Sequence, residues 1–160
     1  MAATTKELIE FSHEDWAAVV ERARELDTAR RGWMNVYPEV LDEFGVARPR
    51  GSVIGLGAVF RVNGPTIPTA TWVFRTAKAP GTIGLEHGLR TKVLDRLRGN
   101  DIQPPQGSFR LQDNTRRGLV LRLADGVDAE DVLAWLMEAV DDLCPLQLTG
   151  NWLAEVYEPT

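Results

Sequence analysis

Apolar residues recur along this chain at two spacings, and the switches between them mark out its elements. Trp16, Val19, Val20, Ala23 and Leu26 fall three or four apart, the period of an amphipathic helix, and Ser12 followed by Asp15 has the form of a capping box. This predicts a helix over about 13–31. Trp33, Val36, Tyr37, Val40, Leu41 and Phe44 keep the same period, with Pro38 near the start and Gly45 as a stop, and predict a second, shorter helix. From Ser52 the spacing becomes two. Ile54, Leu56, Ala58, Phe60 and Val62 alternate with Gly55, Gly57, Val59 and Arg61, a half-buried strand ending at Asn63-Gly64-Pro65. A second strand is expected over about 69–76, and a third helix over about 83–98 from Leu85, Leu89, Val93, Leu94 and Leu97. Strands follow around Phe109 and Leu111 and around Leu119 to Leu123. Asp128 with Asp131 then caps a final helix that buries Val132, Leu133, Trp135, Leu136, Ala139, Val140 and Leu143 before Pro145. Trp152 and Leu153 dock a short tail.

The expected architecture is an α+β domain of order α-α-β-β-α-β-β-α, with a four-stranded, mostly antiparallel sheet burying one face under helices. Its parts are a helical stretch over 1–47, two hairpin-helix units over 52–144 and a docked tail over 145–160, with Val46 to Ser52 as a linker. A chain of 160 residues with 44% hydrophobic and 26% charged residues is the size and composition of one globular domain, which excludes a disordered chain. Cys144 is the single cysteine and has no partner for an internal disulfide. Together with an N-terminal segment lacking the apolar core of a signal peptide, and with no long apolar run, this predicts a cytoplasmic location and no membrane insertion.

Charge is strongly segregated. Residues 1–47 carry 5 Lys/Arg and 10 Asp/Glu, residues 48–122 carry 13 and 4, and residues 123–160 carry none and 9. A chain with net charge −5 therefore has a basic middle, which the acidic ends neutralise or which faces an anionic partner. Phasing the predicted strands by Phe60, Trp72, Phe74, Phe109, Leu111, Leu121 and Leu123 puts Arg61, Arg75, Arg110 and Arg122 together on the opposite sheet face. Val59, Val73 and Val120 lie beside them, and Gly55 and Gly57 leave room for close backbone approach. Arginine forks suit carboxylates and phosphates, and the valines add apolar surface suited to an extended partner.

Catalytic motifs are weak by comparison. His87 adjoins Glu86, but neighbouring helix positions point about 100° apart and form no dyad, so a surface histidine is expected. His13-Glu14-Asp15 is explained by a helix's first turn. Two histidines and one distant cysteine have no zinc spacing, so neither a metal nor a cofactor is predicted. Gly55-Leu56-Gly57 lacks a third glycine and a following helix, and is no dinucleotide fingerprint. The five tryptophans mostly fall in phase with the core, whereas Trp33, near Arg30 and Arg31, suits a ligand or subunit contact.

The strand pair around Phe60-Arg61-Val62 and Trp72-Val73-Phe74 and the helix ending at Leu97-Arg98-Gly99-Asn100 carry a resemblance. So do the strands around Phe109-Arg110-Leu111 and Leu119 to Leu123, with Gly126-Val127-Asp128 opening the last helix. In layout, from about residue 35 onward, the chain resembles the type III secretion chaperone and YbjN-type group. That resemblance implies a non-enzymatic, often dimeric protein that holds another protein or peptide, and transfers no binding residue. The expectation is a protein- or peptide-binding module, with a homodimer open. The alternatives are an anionic-ligand or nucleic-acid binder using the same arginines, disfavoured by the net charge, and a small-molecule binder or enzyme with an aromatic pocket.

Overall fold

The computed structural model describes residues 3–42, 45–47 and 67–160. Its elements are β1 (Thr4–Ser12), α1 (Ala17–Ala29), β2 (Trp33–Asp42), β3 (Gly45–Ala47), β4 (Thr69–Val73), β5 (Thr82–Glu86), α2 (Leu94–Gly99), β6 (Phe109–Asn114), β7 (Gly118–Arg122), α3 (Ala129–Leu143) and β8 (Gln147–Pro159). Seven strands form one antiparallel sheet in the order β1-β8-β2-β4-β5-β7-β6, and short β3 pairs with β2 beside that path. This corrects the expected four-stranded sheet and its α-α-β-β-α-β-β-α order: strand, not helix, dominates the described chain.

Three differences produce that outcome. The segment expected as a second helix is β2, a central strand buried on both faces from Met34 to Val40, with Trp33 at its start half-buried. Met34, Val36 and Val40 are buried on the helix side, and Asn35, Tyr37 and Glu39 are buried on the other. A strand buried on both faces loses its alternation, and the i, i+3, i+4 matches at Trp33, Val36, Tyr37 and Val40 are coincidental. Pro38 is tolerated because the β2–β8 register shifts between Pro38 and Val40, where a missing N–H costs no regular ladder bond. The expected third helix divides into β5 and the short α2. Two N–H groups at the start of α2, those of Val93 and Leu94, donate to the Asp113 carboxylate of β6 at 3.0 and 3.2 Å. The expected tail is β8, the strand that joins β1 to β2.

Four expected elements are found in place. β4, β6, β7 and α3 lie where the periodicity put them, and the Asp128 carboxylate accepts the Glu130 N–H at 3.2 Å as an N-cap. Ser12 Oγ accepts the Asp15 N–H at 3.2 Å, but this closes the tight turn ending β1, and α1 starts only at Ala17. Helices α1, α2 and α3 cover one face of the sheet. There Val19, Leu26, Leu97, Leu133, Leu136 and Val140 meet Met34, Trp72, Phe74, Ile83, Leu121 and Trp152 in a single core. Gly32, at φ 89°, turns the chain from α1 into β2 where a Cβ would overlap the Tyr157 carbonyl oxygen. Among the described residues no helix is long and apolar enough to cross a membrane.

Candidate functional site

Side chains directly opposed in an antiparallel pair project to the same face, so the registers can be followed from strand to strand on the face opposite the helices. Lys6 opposes Tyr157, Tyr157 opposes Trp33, Trp33 opposes Val73, Val73 opposes Thr82, Thr82 opposes Arg122 and Arg122 opposes Phe109. One row thus crosses the whole seven-strand path, about 29 Å at a strand spacing of about 4.8 Å. At one end the Trp33 and Tyr157 rings stack, centroids 5.0 Å apart and planes 10° from parallel, with Lys6 Nζ 5.7 Å from the Tyr157 ring. At the other end the Arg122 guanidinium lies 4.8 Å over the Phe109 ring. Between and beside them is apolar surface open to solvent: Val73 is 43% exposed, Phe109 55%, and Leu111 in the neighbouring β-bulge 52%.

The adjoining row is built to hold the first in place. Leu8, Glu155, Asn35, Thr71, Gly84 and Val120 follow one another across the strands. Glu155 is 1% exposed and accepts from Tyr157 Oη at 2.6 Å, with Lys6 Nζ at 2.9 Å. Burial alone would raise its carboxyl, but hydrogen bonds from Tyr157, Lys6 and Tyr37, with the Lys6 charge, outweigh it and hold the carboxyl below the usual range. Lys6 is raised, chiefly by its hydrogen bond to Glu155, and Tyr157 is raised by burial and by Glu155. At neutral pH all three are fixed in one protonation state, so the network positions the Trp33–Tyr157 stack rather than exchanging protons. Thr71 Oγ1 donates to Asn35 Oδ1 at 2.9 Å, and Glu39 Oε1 accepts from Thr149 Oγ1 at 3.0 Å and Asn151 Nδ2 at 3.2 Å.

The structure brings Arg122, Val73 and Val120 onto this common face and separates two of the expected arginines from it. Arg110 opposes Leu121, and so lies on the helix side of the sheet, while Phe109, expected inside, opposes Arg122 and faces out. The bulge at Leu111 explains the inversion, because one extra residue reverses which face each neighbour takes. Arg75 lies beyond the last paired residue of β4 and turns to α1, its Nε 3.2 Å from Asp27 Oδ1 and 3.4 Å from the Asp27 carbonyl oxygen. Gly55, Gly57, Val59 and Arg61 lie outside the described residues, as do the strand expected around them and most of the expected linker. His87 is neither helical nor a surface residue: it follows β5, is buried, and its Nδ1 accepts the Leu89 N–H at 3.4 Å.

The row also contains Lys6 and Tyr157, which the sequence reading did not single out, beside Trp33, which it offered as a ligand or subunit contact. Lys6 lies ahead of the first expected helix, Tyr157 in the expected tail and Trp33 in the expected second helix. The alternation of Trp152, Ala154 and Val156 with Leu153, Glu155 and Tyr157 was the available signal for β8.

Charge segregation is resolved in part. Arg96 pairs with Asp142 at 3.2 Å, Arg24 lies 3.4 Å from Asp128, and Arg22 and Arg31 hold Glu158 at 2.5 and 2.7 Å. The acidic end is thus partly neutralised, mainly by arginines of the first segment. Among the described residues, Arg110, Arg116, Arg117 and Arg122 of the β6–β7 hairpin form no ion pair, so its basic charge is presented outward. Comparison of the chain with family models, curated proteins and solved structures returns no match.

Proposed function

We propose that the protein is a non-enzymatic binding module that holds an extended, acidic segment of a partner protein across the sheet face opposite its helices. The observation that carries this reading is the row from Lys6 to Phe109, in which exposed apolar and aromatic side chains end at Arg122, a cation without an ion-pair partner among the described residues. Apolar contacts at Val73, Phe109 and Leu111 supply affinity. Arg122 selects carboxylates, and Arg116 and Arg117, unpaired among the described residues and in the turn at the other end of the same hairpin, speed encounter. The function implied by the resemblance to secretion chaperones is of the same kind, but the reading rests on this face rather than on the layout.

A nucleic-acid partner is less well supported. The facing surfaces of Trp33 and Tyr157 are engaged with each other, and Arg122 covers one face of Phe109, which leaves few ring faces on which bases stack. Selection from a random-peptide display library tests the reading. The expected outcome is enrichment of sequences alternating acidic and apolar residues, lost for Arg122→Glu and for Phe109→Ala. No enrichment, or enrichment that survives both substitutions, contradicts it. Retention of single-stranded nucleic acid with affinity falling steeply with salt would favour the alternative.

A further inference from the structure

At the carboxyl end of α1, where the β4–β5 loop and the segment after β7 leave the sheet, lies an open pocket of about 330 Å³ whose lining includes Arg30, Arg75, Thr76, Lys78, Pro80 and Asp125. We infer that this pocket is an anion site that takes a phosphoryl group. Arg75 is held from behind: its Nε is engaged by the Asp27 carboxylate and carbonyl, and among the described residues its two terminal nitrogens form no hydrogen bond. An arginine buttressed in this way offers a fixed pair of donors, so little rotamer freedom is lost on binding. Lys78 is placed by a turn that Thr76 locks. Thr76 Oγ1 accepts the N–H groups of Lys78 and Ala79 at 3.2 and 3.1 Å, and Thr76 N–H donates to the Ala79 carbonyl at 2.9 Å.

Arg30 comes from a second element, α1. It ends α1 in the left-handed conformation, φ 55° and ψ 46°, where glycine is favoured, and among the described residues neither its side chain nor that of Lys78 is ion-paired. Three cations approaching from two elements match an ion with three or four charge-bearing oxygens better than a planar carboxylate with two. Asp125 in the lining and Asp27 behind Arg75 leave one surplus positive charge. The volume exceeds that of a bare phosphate and leaves room for whatever carries the group.

Nitrogen-15 NMR titration of the full chain with inorganic phosphate, at constant ionic strength and with acetate as control, tests the site. Saturable shifts are expected at residues 30, 75–79 and 125, with acetate weaker. Arg30→Gly and Lys78→Ala should each weaken phosphate binding about fivefold to tenfold, the loss of one charge-assisted contact. Arg30→Gly should leave the thermal midpoint unchanged or raised, because glycine suits that backbone conformation, and Asp125→Asn should tighten binding severalfold. Parallel titrations with phosphoserine and with a nucleoside monophosphate identify the carrier by which binds more tightly than phosphate. Non-saturable shifts, equal response to acetate, or affinities unmoved by both charge removals would overturn the proposal. So would a lowered midpoint for Arg30→Gly with an unchanged phosphate response, which assigns the cluster to neutralising the carbonyl end of α1.

Discussion

Glu155 shows how single residues set the properties of the exposed row. Its carboxylate is 1% exposed, and its charge is tolerated because Lys6 and Tyr157 converge on it. Replacing Lys6 by Met leaves a buried carboxylate short of its cation. The expected cost is about 1–3 kcal/mol in urea denaturation, below that of a fully buried pair because Lys6 itself is half in water. The sign with pH follows from the depressed carboxyl. Its contribution is present above the unfolded value and is lost as pH falls through the folded one, so Lys6→Met should begin acid unfolding at a higher pH than wild type. Val73 and Phe109 behave oppositely. Being exposed, they should change stability by about 0.5 kcal/mol or less when replaced by Ser and Ala, while partner binding falls. Arg122 and Val73 were legible as surface residues because β4 and β7 alternate cleanly. Arg110 and Phe109 were not, because nothing in Phe109-Arg110-Leu111 announces a bulge.

Among the elements, α2 is short and depends on a cap borrowed from another strand. Asp113→Ala removes the acceptor for the Val93 and Leu94 N–H groups and should cost about 1–2 kcal/mol, with faster amide exchange confined to residues 93–99. His87 packs in the same corner. Burial lowers its imidazole, with Asp113 opposing and Arg96 adding to the shift. The unfolded chain therefore takes up the proton first, and stability should fall as pH drops below about 6.5 until the folded value is passed. His87→Asn keeps an acceptor for the Leu89 N–H without a titrating ring, and should flatten that part of the stability–pH profile. Elements with one wet face or a local cap, such as β4, β7 and α3, could be read from sequence. β2 could not, because a strand covered on both sides has no period of two, and α2 could not, because its cap lies 19–20 residues away.

For the molecule as a whole, the last strand holds the sheet together. β8 pairs with β1 over nine residues and with β2 over most of its length, so the two ends of the chain lie side by side. Ending the chain before Gln147 should abolish cooperative unfolding altogether, as read by circular dichroism and loss of dispersed NMR signals. A segment of 13 residues that reads as a tail is decisive because pairing between distant parts of the chain leaves no local mark beyond alternation. The same pairing carries Lys6 and Tyr157 into line with Trp33, Val73, Arg122 and Phe109, so the proposed contact surface exists only in the complete sheet. The most direct measurement is NMR shift mapping of the intact chain while an extended acidic peptide, one enriched by display selection, is titrated in. The account predicts saturable shifts at Trp33, Val73, Thr82, Arg122 and Phe109 with the outer surfaces of α1 and α3 unmoved; shifts on those helices with the row silent would contradict it.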